Sequence, residues 1–266
     1  MKKNFLLALL VLMVSCTSSE TPTEPLPNDE FSLPDGMFLT SLVDTYDEDT
    51  VFHNLTYDSN GRVSKLNIKD EHNFTLQYFY NPVSVVSESD EYGRIEIDVT
   101  QNSEGLVTAL SYIDKYGRTC SYNMKYNGKE LVQLLYQVGD YTETTTLYWD
   151  NGNIIRIMYI EPIDNYGICE EFEYSEQENT YNQFIYPTQY IVSYYDFEDG
   201  LLGLFLNGQL GVSTKKLPNK ITCYEIGYEQ YKNVENIEYQ LDSKGVILSE
   251  IIDGDVSLRY NYSTIK

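Results

Sequence analysis

The chain is 266 residues long, with 18 basic and 41 acidic side chains and a formal net charge of −23. So acidic a surface repels nucleic acid and anionic lipid head groups, which excludes a nucleic-acid partner. The length suits one β-domain with a sizeable core.

The N-terminus reads as a targeting segment. Lys2 and Lys3 precede an apolar run from Phe5 to Val14, about ten residues and too short for a permanent membrane helix. Ser15-Cys16 closes that run. A small residue directly before a cysteine at this place resembles the lipobox of bacterial lipoproteins. The resemblance implies a lipoprotein signal peptide over residues 1–15, cleavage before Cys16 and lipid on its thiol. An ordinary secretory signal with an incidental cysteine is the plainer alternative. Two acyl chains on one residue suffice for stable anchoring, so the membrane is the first expected partner.

Residues 16–36 read as an acidic, disordered tether behind the lipidated Cys16. They hold Pro22, Pro25, Pro27 and Pro34, the acids Glu20, Glu24, Asp29, Glu30 and Asp35, and no Lys or Arg. Few large apolar residues and one sign of charge favour an extended chain. Without Lys2 and Lys3 the remainder carries 16 basic residues against 41 acidic ones. Solubility is the plain reading of that excess, and attraction of Ca²⁺ or a basic partner the sharper one.

From residue 37 to 266 the sequence reads as a single β-repeat domain. One unit is Tyr57-Asp58-Ser59-Asn60-Gly61-Arg62-Val63, a second is Lys125-Tyr126-Asn127-Gly128-Lys129, and a third is Tyr148-Trp149-Asp150-Asn151-Gly152. Gly105, Gly128 and Gly152 are spaced by 23 and 24 residues, and Gly61 to Gly105 is 44, with Asn81-Pro82 at the missing turn. Gly245 restarts the pattern. Asn127-Gly128 and Asn151-Gly152 predict type I′ turns, whose central residues need positive φ. Between the turns apolar and polar residues alternate, as in Cys120, Tyr122, Met124 and Tyr126 against Thr119, Ser121, Asn123 and Lys125. Period two marks half-buried antiparallel strands. The expected fold is all-β: a curled up-and-down meander of about 10–14 strands, open or closed like a barrel. The 26 tyrosines suit such a sheet, because the ring packs and the hydroxyl reaches a backbone partner. Their regular places at strand ends favour that structural role over an aromatic platform for sugars.

One stretch breaks the pattern. Residues 199–211 hold Leu201, Leu202, Leu204, Phe205 and Leu206, apolar nearly all round, and predict a short buried helix inside the curl of the sheet, capped by Asp199 and ended by Gly208. Cysteine use is sparse: with Cys16 lipidated, at most one disulfide forms among Cys120, Cys169 and Cys223. Cys120 and Cys169 lie four strand spacings apart, roughly 19 Å, out of disulfide reach.

Two resemblances follow from these motifs. The Tyr-Asp-x-x-Gly-Arg-Val unit at Tyr57 to Val63 resembles the YD repeats of bacterial Rhs-type surface proteins, which build β-rich shells. The whole chain resembles a family of bacterial lipoproteins of unknown function with a porin-like fold: Cys16, the acidic tether, the units from Tyr57 to Tyr174, the insert and Leu-Pro turn from Gly200 to Pro218, and the last hairpin from Tyr239 to Tyr262. That resemblance implies outer-membrane association in a Gram-negative bacterium and no assigned activity. Charges such as Glu170, Glu171 and Glu173 argue against a lipid-facing band and a pore.

Chemistry is sparse. His53 and His72 are the only histidines, and both lie near polar, turn-like sequence that favours a surface place. No metal-protease, dithiol, phosphate-loop or dinucleotide motif occurs, so no catalytic residue, cofactor or metal is assigned. The acids Asp44, Asp47, Glu48 and Asp49, and Asp196, Glu198 and Asp199, lack the EF-hand spacing and read as solvated turns. The expected function is a surface- or envelope-anchored, non-catalytic binding or scaffold domain for a glycan, peptide or protein. The alternative is a polysaccharide hydrolase or lyase using carboxylates and Tyr on the concave face.

Overall fold

A computed structural model describes residues 33–46, 49–69, 73–91, 93–163, 166–189 and 200–264. The signal peptide, Cys16, most of the tether, His72, Asp47, Glu48, Asp196, Glu198 and Asp199 lie outside the described residues. The strands are β1 (Met37–Tyr46), β2 (Asp49–Tyr57), β3 (Val63–Lys69), β4 (Asn73–Tyr80), β5 (Val83–Ser89), β6 (Gly93–Gln101), β7 (Val107–Ile113) and β8 (Thr119–Asn127). They continue as β9 (Glu130–Val138), β10 (Tyr141–Asp150), β11 (Asn153–Glu161), β12 (Tyr166–Glu178), β13 (Lys216–Glu225), β14 (Asn233–Leu241), β15 (Ile247–Ile252) and β16 (Asp255–Thr264). Each pairs antiparallel with its sequence neighbours, and β1 pairs with β16, so the meander closes into a barrel of 16 strands. The count exceeds the expected 10–14 because the hairpins β1–β2 and β13–β14 carry no Asn-Gly signal.

One turn recurs with the same hydrogen bonds. In Asp58–Arg62, the Asp58 Oδ1 accepts the N–H of Asn60 and of Arg62, both at 2.9 Å, while Gly61 N–H donates to the Asp58 carbonyl at 3.1 Å. Asn102–Leu106, Asp114–Arg118 and Asp242–Val246 repeat the scheme. The fourth residue is Gly in each because the turn puts it at positive φ, 77° at Gly61. In two copies the following Arg also donates to the second oxygen of the Asp, Arg62 to Asp58 at 2.9 Å and Arg118 to Asp114 at 2.7 Å. These bonds hold both Asp carboxyls below the usual range. Asn151-Gly152 is the expected type I′ turn, with φ of 50° and 79°. Asn127-Gly128 is not: Asn127 pairs with Glu130 as a strand residue, and the turn is Gly128-Lys129 with only Gly128 at positive φ. A glycine at the first central position satisfies the mirror turn without help from Asn127.

The tyrosines follow the same period. Odd-numbered strands start, and even-numbered strands end, at one end of the barrel, here called the mouth. There the aromatic that ends an even strand donates to a carbonyl that starts the preceding odd strand: Tyr57 to Leu39 at 2.7 Å, Tyr126 to Val107 at 2.8 Å, Tyr174 to Ile154 at 2.5 Å and Tyr262 to Ile247 at 2.8 Å. Tyr80 bonds Val63 likewise, and Trp149 Nε1 donates to Leu131 at 2.8 Å. The result is a girdle of side-chain bonds around the mouth, the structural role expected of the strand-end aromatics. Tyr174→Phe is expected to cost about 1 kcal/mol in urea unfolding without changing the secondary structure.

Sidedness follows the alternation. Leu66, Ile68, Leu76, Tyr78, Ile97 and Leu110 are buried in one core inside the wall. The other face carries charge, as in the exposed Arg94 with Glu88 and Glu96 at 2.8 and 3.0 Å and Lys220 with Glu173 at 2.5 Å. A membrane barrel has the opposite pattern, apolar outside and polar within. Glu170 differs from its expected place: it faces inward and is 5% exposed. Its partner across the strands is Cys223, whereas Glu171 and Glu173 occupy the other face.

A barrel of this many strands is wide enough to hold a channel, and residues 179–189 and 200–215, between β12 and β13, pack into it. The helix α1 (Gly200–Leu206) buries Leu201, Leu202, Leu204 and Phe205 in the core. It ends at Gly208 (φ 72°), where Gly208 N–H donates to Phe205 at 2.7 Å and Gln209 N–H to Leu204 at 2.9 Å, a Schellman stop. The chain then crosses the mouth hairpin by hairpin. Asn207 Oδ1 accepts Val63 N–H at 2.8 Å, Gln209 O accepts Val107 N–H at 2.8 Å, Val212 N–H donates to Lys129 at 3.1 Å and Lys215 N–H to Gly152 at 3.0 Å. Gly211 has φ of 90°, and a Cβ there would run into the Lys129 carbonyl oxygen.

Candidate functional site

The insert leaves a cavity of about 280 Å³ at the mouth, between itself and the seam where β1 meets β16. From the wall come Phe38 at the start of β1, Tyr57 at the end of β2, and Tyr260 and Tyr262 of β16. The turn after β2 adds Asn60 and Arg62, and the insert adds Tyr181, Asn182, Gln183, Phe184, Leu206 and Asn207. The Phe38 and Tyr57 rings are 4.9 Å apart and tilted by 57°. Burial pushes the Tyr57 and Tyr262 hydroxyls up in pKa and holds them neutral, as their bonds to Leu39 and Ile247 require. Arg62 is ion-paired with Asp58 at 2.8 Å and lies over the Tyr80 ring at 4.1 Å.

The amides of this corner are held by their oxygens. Asn182 Oδ1 accepts Ser213 N–H at 2.6 Å. Gln183 Oε1 accepts Ile247 N–H at 3.0 Å and shares the Tyr262 hydroxyl, 3.1 Å away, with the Ile247 carbonyl. The amide nitrogens of both are buried and lack a hydrogen-bond partner. Asn182 also sits at φ of 49°, a conformation Asn tolerates better than most residues. A wider depression of about 590 Å³ lies farther round the mouth, rimmed by Asp150, Glu178, Lys215 and Lys216.

A second cluster lies inside the wall. Glu170 on β12 and Glu250 on β15 are 5% and 0% exposed, and Tyr186 of the insert touches both. Its hydroxyl donates to Glu170 at 3.1 and 3.3 Å, and its backbone N–H lies 3.5 Å from Glu250 Oε2. Gln189 Nε2 reaches Glu250 Oε2 at 3.4 Å and the Tyr260 hydroxyl at 3.0 Å. Burial raises Glu170 to about 8, opposed by the Tyr186 bond and reinforced by Glu235. Burial raises Glu250 to about 7, opposed by Tyr186 and Gln189 and reinforced by Asp44. Both carboxyls hold their protons through mildly acidic pH. Neither lines the mouth cavity.

Other expected residues fall as follows. His53 is not on the surface: it is 8% exposed on the inner face of β2, opposite Leu42 and Ile68. The polar residues around it hid a strand in which Val51, His53 and Leu55 share the core side. Asp44 is likewise an inward strand residue, opposite Val51 and Leu258, rather than a solvated turn. Cys120, Cys169 and Cys223 are free thiols, so the Cys120–Cys169 bridge is absent as expected. Burial and the neighbouring Glu170 and Glu235 push the Cys223 thiol up to about 11.

No family model and no curated protein matches the chain. Solved structures do. A porin-like protein from Bacteroides uniformis ATCC 8492 superposes with a TM-score of 0.64 at 15% identity, covering 85% of this chain and 98% of that one. A porin-like protein from Bacteroides vulgatus ATCC 8482 gives 0.56 at 15% identity with the same coverage. The fold of this chain is that of these porin-like barrels.

Proposed function

We propose that the protein is a lipid-anchored envelope protein of a Gram-negative bacterium, held through Cys16, whose barrel is a non-catalytic binding module. The mouth cavity carries this reading. It is lined by Leu33 and Gly36, so it opens where the tether enters the barrel. The charged outer face agrees with a domain held beside the membrane rather than across it. The 18 residues from Cys16 to Leu33, Pro-rich and of one charge, give an extended tether reaching up to about 50 Å at roughly 3.1 Å per residue. On this reading the mouth faces the membrane side. The Tyr-Asp-x-x-Gly-Arg turn from Tyr57 to Arg62 is the chain's version of the YD repeat and serves the scaffold.

The test has two parts. Incorporation of labelled palmitate in cells is expected for the full chain and not for Cys16→Ser, which should leave the membrane fraction. A glycan array, a peptide array and a panel of polysaccharide digestions then separate binding from turnover. Hydrolysis or elimination on any polysaccharide would favour the hydrolase or lyase reading, for which Glu170 and Glu250 are the carboxylates with raised pKa. Their enclosure beneath the insert favours binding instead.

A further inference from the structure

We propose that residues 186–189 of the insert form a pH-sensitive latch: seated while Glu170 and Glu250 are protonated, and lifted to admit water beneath it when they ionise. Tyr186 sits between the two carboxyls. Its hydroxyl donates to Glu170 of β12 at 3.1 and 3.3 Å, and its N–H faces Glu250 of β15 at 3.5 Å. Its ring centroid is 6.0 Å from that of the buried Phe172. Gln189 Nε2 reaches Glu250 at 3.4 Å and the Tyr260 hydroxyl at 3.0 Å. Thr188 adds one neutral contact, its hydroxyl 2.9 Å from that of Ser213. The latch is thus tied to the wall largely through two groups that can change charge. The arm before it is tied differently. Asn179 N–H donates to the Lys215 carbonyl at 2.7 Å, and Asn179 Nδ2 to the Gln183 and Thr214 carbonyls, both at 3.2 Å. Gln183 N–H donates to Asn179 Oδ1 at 2.9 Å. Ile185, fully buried, separates the two halves. Amides and carbonyls do not titrate near neutral pH, so a change of pH addresses the latch and leaves the arm seated.

Burial sets the direction. Around Glu170 stand Tyr186, Cys223 of β13, Glu235 of β14 and the adjacent Cys169. Around Glu250 stand Tyr186, Gln189, Asp44 of β1, Tyr239 of β14 and Tyr260 of β16. These are acids, thiols, hydroxyls and amides, and no cation is among them to compensate a buried carboxylate. Tyr186 and Gln189 favour the ionised forms by donating to them, but desolvation outweighs those bonds at both carboxyls. Lifting the latch exchanges the bonds for water and removes the larger, opposing cause. Seated values of about 8 and about 7 stand against an ordinary 4.5. At full hydration the open form therefore gains about seventyfold through Glu170 and about tenfold through Glu250 between pH 6 and 8.5. The barrel interior between β12 and β15 is closed at mildly acidic pH and opens to water at alkaline pH.

The experiment is amide hydrogen exchange on the full chain at pH 6 and pH 8.5, each rate divided by the intrinsic rate of an unstructured peptide at that pH. The expected result is a loss of protection of about a hundredfold at the Tyr186 and Gln189 amides, while Asn179 and Gln183 keep theirs. Glu170→Gln and Glu250→Gln retain an acceptor oxygen for Tyr186 but cannot ionise. Each should remove its own share of the loss, and the two together all of it. Protection at Tyr186 and Gln189 that ignores pH, or that falls as far in the double Gln form, would overturn the latch. An equal fall at Asn179, Gln183 and the wall strands would also overturn it, because the whole fold would then be loosening. If the double form does not fold, the two single forms decide by the same outcomes.

Discussion

Glu170→Gln and Glu250→Gln are expected to be more stable than the native chain at pH 8 and no more stable at pH 4.5. Both carboxyls are raised in the folded state, to about 8 and about 7, from an ordinary value of 4.5. Below pH 4.5 each is protonated in the folded and unfolded chain alike, and burial carries no charge penalty. As pH rises the unfolded chain gives up these protons first, and stability falls until the folded pKa is passed. At 1.36 kcal/mol per unit, the loss approaches about 5 kcal/mol for Glu170 and about 3 for Glu250. The groups facing them soften it only through the hydrogen bonds from Tyr186 and Gln189. Glu170 has Tyr186, Cys223 and Glu235 about it, and Glu250 has Tyr186, Gln189, Tyr239, Tyr260 and Asp44. No cation among the described residues is bonded to either. Glu250 Oε1 lacks a hydrogen-bond partner altogether. Urea unfolding between pH 4.5 and 8 is the measurement. Equal slopes of stability against pH in native and Gln forms would show that these carboxyls ionise in the fold at ordinary values. The turn acids work in the other direction: Asp58, Asp114 and Asp242 are lowered, and their contribution is lost as pH falls through the acid range. A stability maximum at mildly acidic pH is the combined expectation.

The second large effect concerns the insert. Phe205 is 1% exposed, with its ring 5.6 Å from that of Phe184 in the other arm of the same segment. Phe205→Ala should cost about 3–5 kcal/mol, the usual range for a buried aromatic truncated where the surroundings cannot collapse. Collapse is hindered here because the wall is a closed hydrogen-bonded ring and the plug is pinned to it at Val63, Val107, Lys129 and Gly152. Unfolding followed by fluorescence of Trp149, the sole tryptophan, would read the loss through the girdle. A cost under about 1 kcal/mol would show that the plug is not part of the cooperative core.

Much of the wall was legible in the sequence because it is written in local signals. Asn151-Gly152, the Asp-x-x-Gly turns and the alternation of Cys120 to Tyr126 each specify a short stretch whatever the rest of the chain does. The insert was legible for the opposite reason: Leu201 to Leu206 is too apolar all round for a half-wet strand. What stayed hidden depends on register. Glu170 and Glu171 are adjacent acids, and only the pairing of β12 with β13 decides which one points at Cys223 and into the core. His53 sat among polar neighbours that masked its phase with Val51 and Leu55. The cavity was the least legible part, because Asn182 and Gln183 come from an irregular stretch. Phe38 and Tyr262 meet there only because β1 closes against β16, a contact no local pattern announces.

That closing seam governs the order in which the domain is completed. Thr40 Oγ1 donates to the Asn261 carbonyl across 221 positions of chain, and the wall is finished only when the last strand has arrived. Every other strand pair joins sequence neighbours and can assemble as it emerges. Until β16 arrives, the growing sheet carries two bare edges, each a template for pairing with another chain. The entropy of bringing such distant ends together rises only slowly with length, but contacts of this separation come late in folding. The vulnerable interval of this protein is therefore its assembly before β16 joins β1.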